Sequence, residues 1–347
     1  MPQLSKDVFE GDDGHLFLVG GSNDVARLFS ESDQNLQLIC SAWKALLVSR
    51  KRTAADKGIK YLHCFVPDKL SILKAKALAI TSQMRFPAEI LEESDDAELR
   101  GTLVPLTNYL RKQTGNYDVF HRTDTHWTVE GCFSAYQMLC SYMGIPQKAD
   151  LILRNAPAHE GSWDLGSKLT PKRFETIRFG RFGIGASRVE ANEIVTARET
   201  GRVPNDLLLH VGSIVEYRNE RHPLAKMRLL VFGDSFFEYR PHMLTGMFAE
   251  TVDAVMFVWS AAIDWTLVDD FKPDILLTEI AERFVRVVPT DDVDIRRHAA
   301  SKLQSVLCSQ PNGELHSLTP EPRTPLSVEQ SSALRVVAPH VMRGVCS

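Results

Sequence analysis

The chain has 347 residues, 44 % of them hydrophobic and 24 % charged, the make-up of a globular protein that can bury one large core or two ordinary ones. Its net charge of −4, with no basic stretch interleaved with aromatics, gives no reason to expect nucleic acid as a partner. No run approaches the ~18 apolar residues of a membrane span, and the cysteines at 40, 64, 132, 140, 308 and 346 form neither a CxxC pair nor a zinc-spaced cluster with histidine.

The first ten residues lack the basic end and apolar core of a secretory signal, so the chain as it stands reads as cytoplasmic or as an exported domain without its leader. Residues 11–18 read as a turn feeding a short strand. Leu36, Ile39, Cys40, Trp43, Leu46 and Leu47 recur at helical spacing, the sequence turns polar at 49–52, and Gly58 supplies a stop. A β-rich run at 59–66 follows as a strand. Between 70 and 115 lie helical segments and an acidic knot at 92–96, read as solvated. Residues 117–121 suggest a short strand. Thr128 is a good N-cap for a helix whose apolar face carries Phe133, Tyr136, Leu139, Cys140 and Met143, and Gly144 ends it.

From about 146 to 225 the pattern is less regular. Runs at 174–181, 188–197 and 207–217 suggest strands of a small β-rich antiparallel insertion, a candidate substrate-binding excursion. Residues 229–232 form a continuous apolar run ending in Gly233-Asp234-Ser235. Beyond it, Pro241 opens a helix through about 249, 252–259 reads as a strand, 263–271 as a helix and 274–278 as a strand. This alternation implies a wound α/β sheet, mostly parallel. A last helix is expected at 291–307, followed by a loosely ordered tail.

Gly233 lets the chain turn sharply, which places Ser235 just beyond the carboxyl end of a buried strand, where open α/β sheets bind ligands. Read alone, the three residues are also ordinary turn chemistry. Asp124 and His126 are the best candidates for a base: on an extended segment, residues two apart point the same way with alpha carbons about 6.5–7 Å apart, so a carboxylate there reaches the imidazole. A structural Asp-x-His pair and metal binding by His121, Asp124 and His126 compete with this reading. The three-residue spacing from His121 prevents all three from facing one way on a single strand.

Asp124-Thr125-His126-Trp127 ahead of a helix, with Gly233-Asp234-Ser235-Phe236 about a hundred residues later, resembles the alginate O-acetyltransferase family of the AlgX/AlgJ type. Gly14-His15-Leu16-Phe17, Val66-Pro67-Asp68-Lys69, Asp164-Leu165-Gly166 and Glu279-Ile280-Ala281-Glu282-Arg283 agree with it. The resemblance implies a three-layer α/β/α SGNH-hydrolase-like domain over 11–290, with 291–347 as C-terminal helix and tail. It also implies a triad in circularly permuted order, with Asp124 orienting, His126 as base and acid, and Ser235 as nucleophile. The implied activity is acetyl transfer to a carbohydrate or polysaccharide hydroxyl through an acetyl-serine, without cofactor or metal. Hydrolysis by the same acyl-enzyme, or a non-catalytic carbohydrate-binding role, are the alternatives. Trp127, Tyr239 and Arg283 are expected at the substrate, with Trp163 and His242 as further pocket residues. Arg283 also reads as the partner of Glu279 or Glu282 in an i,i+4-type helical charge pair. The resemblance further implies a periplasmic setting and a membrane-bound supplier of acetyl groups, and a monomer is expected. The 58 or so residues after Pro289 are too few for an ordinary carbohydrate-binding module.

Overall fold

The computed structural model describes residues 5–21, 24–94, 96–154, 157–203, 210–221 and 223–309. The chain opens with a hairpin of β1 (Val8–Glu10) and β2 (Leu16–Leu18). The helix Asp33–Asp56 starts where Ser32 Oγ accepts the Asn35 N–H and stops just before Gly58, whose φ is 71°. It leads into β3 (Lys60–Val66). The helix Val129–Met143 is capped as its sequence indicates: Thr128 Oγ1 accepts from Gly131 N–H, and Gly144 takes a left-handed φ of 77°. A second hairpin, β4 (Ala158–Gly161) with β5 (Glu175–Arg178), precedes β6 (Ser187–Ala191) and β7 (Ile214–Arg218). The alternating part comprises β8 (Ala225–Gly233), helix Leu244–Ala249, β9 (Val252–Trp259), helix Trp265–Phe271 and β10 (Ile275–Ala281). Helix Ile295–Ser309 closes the described chain.

Six strands form the main sheet in the order β3-β10-β8-β9-β7-β6. The first four run parallel, and β7 and β6 are added antiparallel at one edge. All seven residues of β10 are buried, as are all but the first of β3, so both faces of the parallel part are covered by helices and loops. The result is the expected α/β/α arrangement with a mostly parallel sheet. Cys40, Cys64, Cys132 and Cys140 are buried free thiols, as their apolar surroundings suggest, whereas Cys308 is exposed. Among the described residues no helix is long and apolar enough to cross a membrane.

Several expected elements differ. The run at 188–197 is a strand only to Ala191; Asn192 then caps a helix, Glu193–Glu199, accepting the Val195 N–H. Of 207–217, residues 214–217 lie in β7, and 204–209 lie outside the described residues. β6 and β7 are therefore not a separate insertion sheet but an extension of the main one, and β4 with β5 is the independent hairpin. The strand expected at 117–121 reduces to a bridge between Phe120 and Trp127. The helix expected from Pro241 begins at Leu244. The tail beyond 309 lies outside the described residues.

Candidate active site

Leu229, Leu230, Val231 and Phe232 of β8 are all fully buried, and the strand ends at Gly233. A side chain there would put its Cβ 2.6 Å from Glu279 Oε2 on β10, so the glycine permits this close approach. That same oxygen accepts the Asp234 N–H at 2.9 Å. The Asp234 carboxylate accepts from Phe236 N–H at 3.1 Å and from Ala281 N–H at 2.9 Å. Asp234 thus supplies the turn chemistry, tying the segment to the end of β10, and Ser235 is delivered beyond the sheet edge.

Asp124 and His126 sit on a series of bends at 122–126, not on the extended segment that their spacing suggested. The carboxylate closes a small ring on itself: Asp124 Oδ1 accepts the His126 backbone N–H at 2.8 Å and faces His126 Nδ1 at 2.7 Å. With Nδ1–H donated to Asp124, Nε2 turns its lone pair to Ser235 Oγ, 2.8 Å away. Burial opposes charging of the imidazole, but the Asp124 charge and hydrogen bond outweigh it and raise the His126 pKa above 6.5. Burial likewise opposes ionisation of Asp124, and is overcome by the His126 charge and the hydrogen bonds the carboxylate accepts, which hold it well below the usual range. The line carboxylate, imidazole, hydroxyl is the geometry of an activated nucleophile.

Two carboxylates brace this loop from the far side. Glu175 accepts from Arg122 N–H at 3.0 Å and Thr123 N–H at 2.7 Å, and Asp164 accepts from Thr125 N–H at 2.9 Å. Burial, then the nearby Asp124 charge, pushes the Asp164 carboxyl up. Among the described residues, Asp124, His126 and Asp164 have potential ligand atoms within 4.8 Å of one another, and His121 is not part of that group. The metal reading built on His121 is therefore not supported, and the Asp124 and His126 atoms concerned already bond along the triad.

The three residues open into a cavity of about 630 Å³. Trp127, Trp163, Phe179, Trp259 and Met243 give it large apolar walls, and His242, Arg240 and Arg283 give it polar ones. Trp127 and Arg283 therefore line this cavity. Tyr239 does not line it; its neighbours Glu238 and Arg240 do. Nor does Arg283 share a helix with Glu279, because β10 runs through Ala281 and Arg283 follows in a single 3₁₀ turn. Its guanidinium lies 3.8 Å from Asp68 and over the Phe236 ring at 5.6 Å. Glu282 accepts instead from the Asp68 and Ala88 N–H groups, stitching the ends of β10 and β3 together. Burial, then Arg240, lowers the His242 pKa to about 4, so that ring is neutral near pH 7. Phe179, Arg240 and Trp259 were not singled out from sequence. The alternating run around Phe179 was the one available signal.

Residues 8–154 match the model of the SGNH hydrolase-like domain of acetyltransferase AlgX. The likeness over that span is to the AlgX/AlgJ type. The matched span contains Asp124 and His126 and ends before Ser235, so the meeting of the two halves rests on the fold. Among solved structures, Bacillus cereus PatB1 with a sulfonyl adduct is similar at 12 % identity and a TM-score of 0.52, covering 82 % of this chain and 97 % of that one. The O-acetyltransferase domain of Pseudomonas putida AlgJ is similar at 16 % identity and a TM-score of 0.47, covering 86 % and 99 %. No curated protein matches in sequence. The PatB1 similarity is one of fold.

Proposed function

We propose that this protein is a serine-dependent O-acetyltransferase that acts on a carbohydrate hydroxyl through an acetyl-Ser235 intermediate. The observation that carries the reading is the hydrogen-bonded line from Asp124 Oδ1 through His126 to Ser235 Oγ, at 2.7 and 2.8 Å, on the wall of the aromatic cavity. As Ser235 Oγ attacks an acetyl ester, His126 Nε2 takes the hydroxyl proton and Asp124 stabilises the imidazolium. The tetrahedral intermediate collapses as His126 returns that proton to the departing oxygen. A sugar hydroxyl then gives its proton to His126, attacks the acetyl-serine carbonyl, and releases Ser235 with the proton restored. The Ser235 backbone N–H is engaged by no hydrogen bond within the described residues and is a ready oxyanion donor. Aromatic walls suit the apolar faces of sugar rings, and the family model's acetyltransferase description points the same way. The family resemblance carries with it a periplasmic setting and a membrane-bound acetyl supplier.

The test is turnover of p-nitrophenyl acetate with and without candidate glycans. Wild type is expected to form acetylated glycan, and Ser235→Ala to lose that product and the nitrophenol burst together. Acetate release that no glycan diverts would make the protein an esterase, and full activity in Ser235→Ala would remove Ser235 as nucleophile.

A further inference from the structure

We propose that Lys69 is the positioning residue of the Asp124–His126 pair: its buried ammonium gathers the carbonyls of the loop that aims His126 at Ser235. The inference rests on the acetyl-serine reading of the site. Lys69 follows β3 and is only 2 % exposed. Its Nζ donates to His121 O at 2.6 Å, Leu16 O at 2.7 Å and Arg122 O at 2.9 Å, with Asp124 O at 3.3 Å. An ammonium has three protons, so the three short bonds use all of them.

The loop is held from two sides by opposite charge. Carbonyls of His121, Arg122 and Asp124 converge on the cation, while the N–H groups of Arg122, Thr123, Thr125 and His126 go to the carboxylates of Glu175, Asp164 and Asp124. Removing the cation would leave converging carbonyl dipoles without a donor in a site closed to water, and the loop would relax by turning them outward. That rotation moves the Asp124 and His126 backbones, on which the aim of the imidazole depends. The charged groups around Lys69 are Asp68 on its own turn, Asp124 and His121 on the loop, Asp164 and Glu175 across it, and His15 on the N-terminal hairpin. Burial lowers the Lys69 pKa to about 8 against the raising effect of the four carboxylates. Loss of its proton therefore falls within reach of a pH profile. Deprotonation takes away one donor and the charge, so activity should decline as pH rises through that value.

The experiment compares wild type, Lys69→Met, Lys69→Arg and Ser235→Ala on p-nitrophenyl acetate, with melting followed by circular dichroism. Lys69→Met is expected to melt cooperatively and to lose about 100-fold in kcat, the scale of a small misplacement of reacting groups, with KM little changed. Wild type should show an alkaline limb near pH 8. In Lys69→Arg, whose guanidinium stays charged, that limb should vanish up to about pH 10 whatever the absolute rate. The Arg variant keeps the test open if Lys69→Met fails to fold. Wild-type kcat in Lys69→Met, or an unchanged alkaline limb in Lys69→Arg, would overturn the proposal. Undiminished turnover in Ser235→Ala would overturn the acetyl-serine reading itself, separately from Lys69.

Discussion

At the scale of single residues, Asp124 has two tasks that one substitution can separate. Its Oδ1 fixes the backbone turn through the His126 N–H and the ring through Nδ1. An asparagine Oδ1 has two lone pairs and can accept both bonds, but it carries no charge to stabilise the imidazolium. Asp124→Asn is expected to lower kcat by up to about 10⁴-fold, the scale for an orienting carboxylate replaced by asparagine. The pH profile gives the sign. On the proposed mechanism His126 must be neutral to accept the serine proton, and Asp124 holds its pKa above the ordinary value, so wild-type activity is expected to rise with pH through that raised value. Without the carboxylate the imidazolium is less favoured, and the acid limb of kcat/KM should move to lower pH in Asp124→Asn. A limb that stays in place would show that another group controls the ionisation. The two-residue spacing and the following Thr128 cap made the Asp124–His126 pair legible in sequence, although the local geometry is a turn. Lys69 was legible only as the end of the Val66–Lys69 motif and Glu175 not at all; the role of neither could be read, because their bonds to the loop span 52 to 55 residues of chain and neither lies in a periodic pattern with it. Tyr239 was misplaced because its nearness to Ser235 in sequence says nothing about which side of the turn it faces.

Among the elements, β8 and β10 set the position of Ser235, the proposed nucleophile, and Gly233 is a point of close approach between them. Alanine there brings Cβ within 2.6 Å of the oxygen that holds the Asp234 N–H. Burial, then the charge of Asp234, raises the Glu279 pKa well above the usual range, and its side chain is only 1 % exposed, so it has little room to retreat. Gly233→Ala is expected to cost about 1–3 kcal/mol of stability, the range for overpacking, and to lower activity as the turn shifts. A denaturant melt beside an ester assay checks both, and unchanged values in each would mean that Glu279 moves aside freely. The strand–helix–strand order from 225 to 281 could be read because each apolar run is short and ends in a turn residue. The helix at Glu193–Glu199 could not. Its Ile194, Val195 and Thr196 favour strand locally, but Ile194 and Ala197 are buried against Ala299 and Leu303 of the last helix, and that packing decides the outcome.

Over the whole molecule, a buried charge that ties distant elements together is Arg50. The polar run at 49–52 looks like the solvated end of a helical face, yet Arg50 is 1 % exposed in the middle of the Asp33–Asp56 helix. Its guanidinium donates to both Asp291 oxygens, at 2.9 and 2.7 Å, and to Ala261 O at 2.9 Å. Asp291 in turn accepts the Ile263 N–H at 2.9 Å. One buried cation thus joins the long helix, the turn after β9 and the approach to the last helix, elements more than 200 residues apart in sequence. Such a pair contributes little net stability once desolvation is counted, but removing one partner strands the other. Arg50→Met should therefore lower stability by about 3–5 kcal/mol, because Asp291 stays largely buried without its counter-charge. Arg50→Met with Asp291→Leu should recover part of the loss, since the double change removes both charges. Thermal melts of the two variants decide the point: equal losses in both would mean that Arg50 contributes through its packed stem and not through the ion pair.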